Sequence, residues 1–383
     1  MKTKFILSLT LYLLASASIF AENPTDPESA VSTEKSGPLD FTTDQMVKAV
    51  NPKAPDWALD VASRIKLHGY AQGGYYFKHH SRDNSNVNSF ETKRTLLWAE
   101  AQITDRWSFL FMHDFNSIVQ EFYTDFRITR NKALTVRLGQ FKTGVTMENP
   151  WSPTAMETID VYSEGVTYLS GCGSDPLYGV QYGRDLGLSL RGELAKGRFA
   201  YDLELLNGQG IQNVKRDLNN KKDFVARLEF RPFKGFNIVA TGQLGWGNAL
   251  VSNPVFCPNL VQGDDYRRNR YSIGVDYKSK PFNVHGEFLG GKDDCTVSRG
   301  AYVTGSVRLF KDVDFVASYD FFNFNVDDKM DLHKIVAGLQ YWFFRKCRVQ
   351  LQYIYKNADT DYRTYFTHGK NHEIMAQMQI RFN

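Results

Sequence analysis

The sequence predicts an all-β fold: a sixteen-stranded antiparallel transmembrane β-barrel with a long third outer loop that folds inward and a short N-terminal periplasmic extension. Three observations predict it. The chain opens on an export signal, its side chains alternate between apolar and polar from Ile65 onward, and short turns alternate without a break with longer polar connections.

Residues 1–21 form the signal. Lys2 and Lys4 give a basic start, Phe5 to Leu14 is mostly apolar, and Ala15 to Ala21 offers cleavage points ahead of the polar run Glu22 to Asp26. The apolar run falls short of the about 20 residues a spanning helix needs, so it reads as a secretory signal peptide rather than an anchor. No Cys follows the cleavage region, which argues against a lipoprotein. Residues 22–64 change character: Pro, Ser and charge dominate first, then Leu39 to Ser63 carries short helix-like stretches, the last from Asp56 to Arg64. They form a periplasmic extension or a disordered linker, since no strong periodicity favours either.

Residues 65–383 are the barrel. In a strand, alternate side chains point to opposite faces. Leu134, Val136 and Leu138 share one face and Thr135, Arg137 and Gly139 the other; Leu186, Leu188 and Leu190 oppose Gly187, Ser189 and Arg191; Phe224, Ala226, Leu228 and Phe230 oppose Val225, Arg227 and Glu229. Near the end Ile374, Ala376, Met378, Ile380 and Phe382 oppose Glu373, Gln377, Gln379 and Arg381. A soluble sandwich with one wet face would alternate in the same way. The connections separate the two folds. Short turns fall near Thr104–Arg106, Arg130–Lys132, Ala195–Arg198, Arg231–Gly235, Lys278–Pro281, Phe310–Asp312 and Phe344–Lys346. Longer connections fall between them: Lys78–Asn88, Asp114–Ser117, Lys142–Asp175, Asn207–Lys221, Gly245–Arg267, Gly290–Arg299, Asn323–Leu332 and Lys356–Lys370. Counting up and down gives sixteen strands with both ends on the short-turn side, the build of bacterial outer-membrane barrels. A mean hydropathy of −0.40 is compatible, because half of each strand faces water in the lumen. Aromatic clusters such as Trp107, Phe109 and Phe111, or Tyr341 to Phe344, are candidates for interfacial girdles.

Composition excludes several classes. Removing Lys2 and Lys4 lowers the formal charge from +4 to +2, and no basic cluster marks a nucleic-acid binder. Four Cys in 383 residues do not make a disulfide-stapled module. No Gly-x-Ser-x-Gly elbow is present, Gly208-Gln209-Gly210 stops short of a dinucleotide loop, and no cofactor is expected. His79 and His80 are adjacent and point apart, with no third ligand spaced to close a metal site. The acidic pairs Asp264-Asp265, Asp293-Asp294 and Asp327-Asp328 fall in outer loops, as solvated turns or as places where divalent ions bridge lipopolysaccharide.

The functional candidates are the lumen cations Arg127, Arg137, Lys142, Arg191, Arg227, Arg308, Lys334 and Arg348. Cationic rings favour anions, but Asp125, Asp202, Glu204, Glu229, Asp276 and Asp320 sit on or near the same faces, so a mixed-charge lumen is the alternative. The longest connection, after the fifth strand, has an acidic balance with Glu148, Glu157, Asp160 and Glu164 against Lys142. By strand parity Cys172, Cys257 and Cys295 lie in outer loops and Cys347 by a periplasmic turn. Cys257 with Cys295 is the preferred disulfide and free thiols the alternative.

The run Arg137-Leu138-Gly139-Gln140-Phe141-Lys142 resembles the fifth-strand motif of the phosphate-selective porin O/P family. Arg184-Asp185-Leu186-Gly187, then Gly197-Arg198-Phe199-Ala200-Tyr201, Asn207-Gly208 and Arg227 to Phe233 continue the resemblance, which with its spacing covers most of Ile65 to Phe382. The resemblance implies an outer-membrane porin for passive diffusion of small hydrophilic solutes, with phosphate or another anion favoured. It also implies a homotrimer set in lipid and lipopolysaccharide, a third loop that constricts the pore, and Arg and Lys side chains that guide anions. Two departures stand out: the long loop lacks a dense Arg or Lys tract, and the sequence ends Phe382-Asn383 rather than on an aromatic, leaving Phe382 as the signal to the barrel-assembly machinery. The competing expectations are a structural or adhesive barrel with a blocked lumen, and a barrel lipase that would need a Ser, a His and an acid converging near the membrane interface.

Overall fold

The computed structural model describes residues 42–81, 84–211, 217–254, 256–328, 330–358 and 369–382. The signal segment, residues 22–41 and Asn383 lie outside them. Two short helices come first, α1 (Thr43–Val50) and α2 (Asp56–Ser63). Gln45 accepts from the Thr42 amide at 3.1 Å, one half of a capping box, and Thr43 donates its hydroxyl to the Ile65 carbonyl where the barrel begins.

Sixteen antiparallel strands follow: β1 (Ile65–His80), β2 (Ser85–Gln102), β3 (Trp107–Asp114), β4 (Val119–Arg127), β5 (Thr135–Lys142), β6 (Arg184–Leu194), β7 (Phe199–Leu206) and β8 (Asp223–Phe230). Then come β9 (Phe236–Asn248), β10 (Asp265–Lys278), β11 (Phe282–Asp293), β12 (Thr296–Phe310), β13 (Val313–Asn323), β14 (Asp331–Phe344), β15 (Cys347–Ala358) and β16 (Gly369–Phe382). Each strand pairs with its neighbours in sequence, and β16 closes on β1 with Gly69 opposite Phe382 and His80 opposite Asn371. Closure satisfies every strand's backbone without an edge, which a hydrocarbon surround demands. No helix among the described residues is long and apolar enough to cross a membrane. The crossing elements are the strands.

Burial follows the alternation. Along β10, Tyr266, Arg268, Arg270, Ser272 and Asp276 are buried towards the lumen, while Tyr271, Ile273 and Val275 are exposed outward. The exterior is an apolar band, with Leu138, Leu188, Leu228, Leu351 and Ile380 all exposed, and such a surface needs lipid around it. At the short-turn end Phe199 stacks on Phe230 at 4.8 Å, Phe233 on Phe236 at 5.0 Å, and Tyr277 meets Phe282 at 5.6 Å, forming one interfacial girdle.

The structure departs from the pattern in two ways. First, several connections expected to be long are strand. β11 and β12 run on to leave only Asp294 and Cys295 between them, with Asp294 at φ 50° making the turn, and β9 and β10 shorten the Gly245–Arg267 connection to residues 249–264. Here the strands project past the apolar band, both faces are polar or loop-covered, and the ladder continues where alternation of hydropathy has ended. Second, β-bulges break the parity. Arg94 opposes Gln72 while Thr92 opposes Gly73, so Lys93 is the extra residue, and Gln120 is extra where β4 meets β3. Lys93 then sits 4.5 Å over the Tyr76 ring beside Arg94, which donates to Gln72, so neighbours in sequence both serve the lumen.

Candidate functional site

The connection between β5 and β6, residues 143–183, lies inside the barrel. Its neck is drawn together by Asn149, whose Nδ2 donates to the carbonyls of Thr143 and Gly183, each at 2.9 Å. Gly183 has φ 69°, and a Cβ there would lie 2.4 Å from Asn149 Oδ1, so the close approach requires glycine. Local order comes from Ser163, whose hydroxyl accepts from the Val166 amide at 3.1 Å and starts α3 (Glu164–Leu169). Asp175 accepts from Leu177 and Tyr178 at 2.8 and 3.0 Å in the tight turn that follows.

The barrel wall holds this loop mainly by its backbone. Glu204 on β7 accepts from the Gly144 amide at 3.0 Å, and Glu287 on β11 accepts from the Met147 amide at 2.6 Å. Arg227 on β8 donates to the Thr146 carbonyl at 2.7 Å, and Arg348 on β15 to the Met156 carbonyl at 2.6 Å. Gln350 and Gln352 donate to the Glu157 carbonyl at 3.0 and 2.7 Å, and Gln379 on β16 reaches the Thr154 carbonyl at 3.3 Å. Side-chain pairs complete the seating. Lys334 meets Glu164 at 3.1 Å, Lys356 meets Asp160 at 3.2 Å, His285 meets Glu148 at 2.9 Å and Arg268 meets Asp175 at 3.2 Å. Burial pushes the Asp160 carboxyl up, but Lys356, Lys334 and Lys93 outweigh it and hold it below the usual carboxylate range. Glu164 is held down in the same way by Lys334 and Lys356. The acidic loop is therefore matched to a cationic wall.

Between the loop and the wall formed by β1 to β8 and the end of β16 there remains a cavity of about 620 Å³. Nine basic and six acidic side chains line it, a formal surplus of three positive charges. Five of the eight expected lumen cations are among them. Arg137 forms a two-pronged pair with Asp125 at 2.7 and 2.8 Å and lies 3.6 Å over the Tyr123 ring. Arg191 pairs with Asp202 at 3.3 Å, Arg227 with Glu229 at 2.8 Å, and Arg127 also lines the cavity. Lys142 donates to the carbonyls of Asn149 and Trp151 at 2.9 and 2.6 Å and so reinforces the loop neck. The other three sit elsewhere: Lys334 and Arg348 are buried beneath the loop as its anchors, and Arg308 is half-exposed at the short-turn mouth, paired with Asp314. An inward-facing cation is free to face solute only where the loop does not cover it, and strand parity says nothing of that. Sequence reasoning missed Arg184, Arg231, Arg381 and Lys132, which also line the cavity. For Arg381 the signal was present, since it alternates with Ile380 and Phe382.

Towards the long-loop end the lumen carries an apolar core. Val166, Tyr168 and Leu169 of α3 pack with Phe256 and Leu260 of the 249–264 connection, and with Tyr266, Tyr302 and Phe322 of the wall. Cys257 and Cys295 form a disulfide that joins this connection to the β11–β12 turn. Cys172 and Cys347 are free. Asp294 lies beside the two bonded cysteines, whose sulfurs are already used by one another. His79 and His80 diverge, one towards Asn86 at 2.8 Å and the other towards Asn371 at 3.2 Å.

No family model and no curated protein matches the sequence. The fold has likenesses among solved structures. An anion-selective porin from Comamonas acidovorans aligns with a TM-score of 0.60 at 11% identity, over 83% of this chain and 99% of that one. OmpF of Salmonella typhi, in complex with daunomycin, aligns with a TM-score of 0.60 at 14% identity, over 83% and 97%. The trimer form of OmpT, an outer membrane protein of Vibrio cholerae, aligns at 0.55 and 14%, over 82% and 99%. At these identities the likeness is one of fold.

Proposed function

We propose that the chain is an outer-membrane pore for passive diffusion of small hydrophilic solutes, with a weak preference for anions, phosphate among them. One observation carries the reading: the inner loop is seated against one side of a lipid-jacketed barrel and leaves, on the other, a cavity whose lining has three more positive than negative charges. A charged, water-accessible passage in a low-dielectric surround lowers the cost of stripping an ion's hydration shell, and the surplus sign sets which ion benefits. The likeness in fold to an anion-selective porin agrees with it. The signal peptide, the periplasmic extension and a trimer set in lipopolysaccharide belong to the same reading. Planar-bilayer recording across a potassium chloride gradient tests it: steady conductance with a reversal potential towards chloride is expected, and a potential towards potassium overturns the anion preference.

A second reading has an observation of its own. The apolar core made by α3 and the 249–264 connection is what a blocked barrel would carry, with the outer loops as its working surface. Such a barrel gives no steady conductance in the same recording.

A further inference from the structure

The cavity is two-faced, and the proposed pore does not account for one of its faces. Over β1 to β4 the inward positions include an apolar cluster of Tyr70, Leu96, Trp98 and Leu110, with Met112 and Tyr123 packed against it and the polar Ser108, Glu121 and Asp125 beside it. All line the cavity. Lumen positions of a water-filled barrel are ordinarily polar, so an apolar and aromatic wall here calls for something that covers it. The opposite face is ionic: Arg137, Arg191 and Arg227, each with a carboxylate partner.

Among the described residues that line the cavity, Tyr70 Oη, Arg184 Nε and Arg381 Nε are buried without a hydrogen-bond partner, and Tyr70 stands opposite Arg381 where β1 meets β16. Tyr70 is only 5% exposed. Each is a donor. An unsatisfied buried donor costs free energy that an acceptor removes. Arg184 already pairs with Glu121 at 3.0 Å, whereas Arg381 donates to the Thr154 hydroxyl and has no carboxylate partner among the described residues, so Arg381 supplies the charge that makes an anion the fitting acceptor. Arg381 also lies 5.7 Å from the Trp98 ring, which places a charge beside the apolar wall rather than across from it.

We infer that this cavity is a binding site for a small amphipathic organic anion, a carboxylate carried on an aromatic or aliphatic body. The carboxylate meets Tyr70, Arg184 and Arg381, and the body lies on Trp98, Leu96 and Leu110. A cavity of about 620 Å³ is in the range that small-molecule sites occupy. An inorganic anion satisfies the donors and leaves the wall bare; a neutral aromatic covers the wall and leaves the donors bare. Only a solute with both parts does both. The site rests on the proposed pore reading for its access, and it names the class of solute that would pass most slowly and bind best.

Calorimetric titration of the full-length folded barrel with benzoate, acetate, inorganic phosphate and benzyl alcohol tests it, alongside block of chloride current by the same four. Burying a ring stabilises by about 1.5 kcal/mol or more, so benzoate is expected to bind roughly tenfold more tightly than acetate or phosphate. Trp98→Ala is expected to erase that preference, and Arg381→Gln to weaken benzoate and acetate alike. Leu96→Ala, a smaller change at the same wall, gives a partial loss should Trp98→Ala prevent folding. Benzoate binding no tighter than acetate overturns the site, as does a benzoate preference that survives the wall substitutions. A barrel that conducts chloride and ignores benzoate retires the site and leaves the pore; one that binds benzoate without conducting retires the pore and leaves the site.

Discussion

At Arg137 a structural role and the proposed ion preference meet in one residue. Its guanidinium is two-pronged to Asp125 and stacked over Tyr123 in the cavity wall. Arg137→Ala leaves Asp125 as a largely buried carboxylate without its partner, a loss of about 3 kcal/mol for a pair of this kind. It also lowers the cavity's surplus from three charges to two. We expect the reversal potential to move towards the cation and the unfolding midpoint in urea to fall, while Arg137→Lys recovers most of the first effect and little of the second. A variant with unchanged selectivity would show that this pair faces away from the ion path. At Cys172 the expectation is chemical silence. Burial pushes the thiol up to about 12, so iodoacetamide at pH 8 should label it only after unfolding, as counted by mass spectrometry.

The inner loop is the element on which the passage depends. The carboxyls of Asp160 and Glu164 lie below their usual range in the folded chain because the wall lysines outweigh burial. A carboxyl depressed on folding stabilises the fold above its unfolded value of about 4, and that contribution is lost as pH falls through the folded value. The part of the open-channel noise that these two carboxyls control should therefore stay constant from pH 8 to 5 and rise only as pH drops below about 4. Noise that changes between pH 8 and 5 would assign the sensitivity to other groups. Glu164→Gln, which leaves Lys334 paired with Asp320 as its one carboxylate among the described residues, should bring the noisy state to neutral pH. The Cys257–Cys295 bond fastens the 249–264 connection alone, so replacing both cysteines with serine should speed proteolysis there and leave the barrel's resistance to dodecyl sulfate intact.

Much of this loop's placement was legible from its length and position after the fifth strand. Its partners were not, because Gln350, Gln352 and Gln379 carry no charge and gave no signal beyond lying on a polar face. Arg348 and Lys334 lie beneath the loop rather than open to the lumen, and a covered cation and an open one have the same pattern in sequence. The apolar wall was hidden for a further reason. Leu96, Trp98 and Leu110 are apolar residues at lumen positions, and hydropathy alternation cannot mark an inward residue that matches the outward ones.

At the scale of the molecule the sixteen strands and their order follow the alternation of turns, since turn chemistry is local and its residues are read directly. What sequence cannot supply is the seam. β1 and β16 are distant in the chain, and their register is set by close approach. A Cβ at Gly74 would lie 1.9 Å from the Ala376 carbonyl oxygen across the seam. Gly74→Val should hold the strands apart, and the unheated protein should then migrate as unfolded chain on dodecyl sulfate gels; normal migration would mean that closure tolerates the added bulk.

The wall's hold on the inner loop falls chiefly on peptide groups, with Thr146, Thr154, Met156 and Glu157 gripped through their carbonyls and Gly144, Met147 and Ile159 through their amides. Peptide groups are the same whichever amino acid bears them. Apart from Glu148, Asp160, Glu164 and Asp175, whose side chains are themselves paired with the wall, the loop's residues can change identity without altering these moorings.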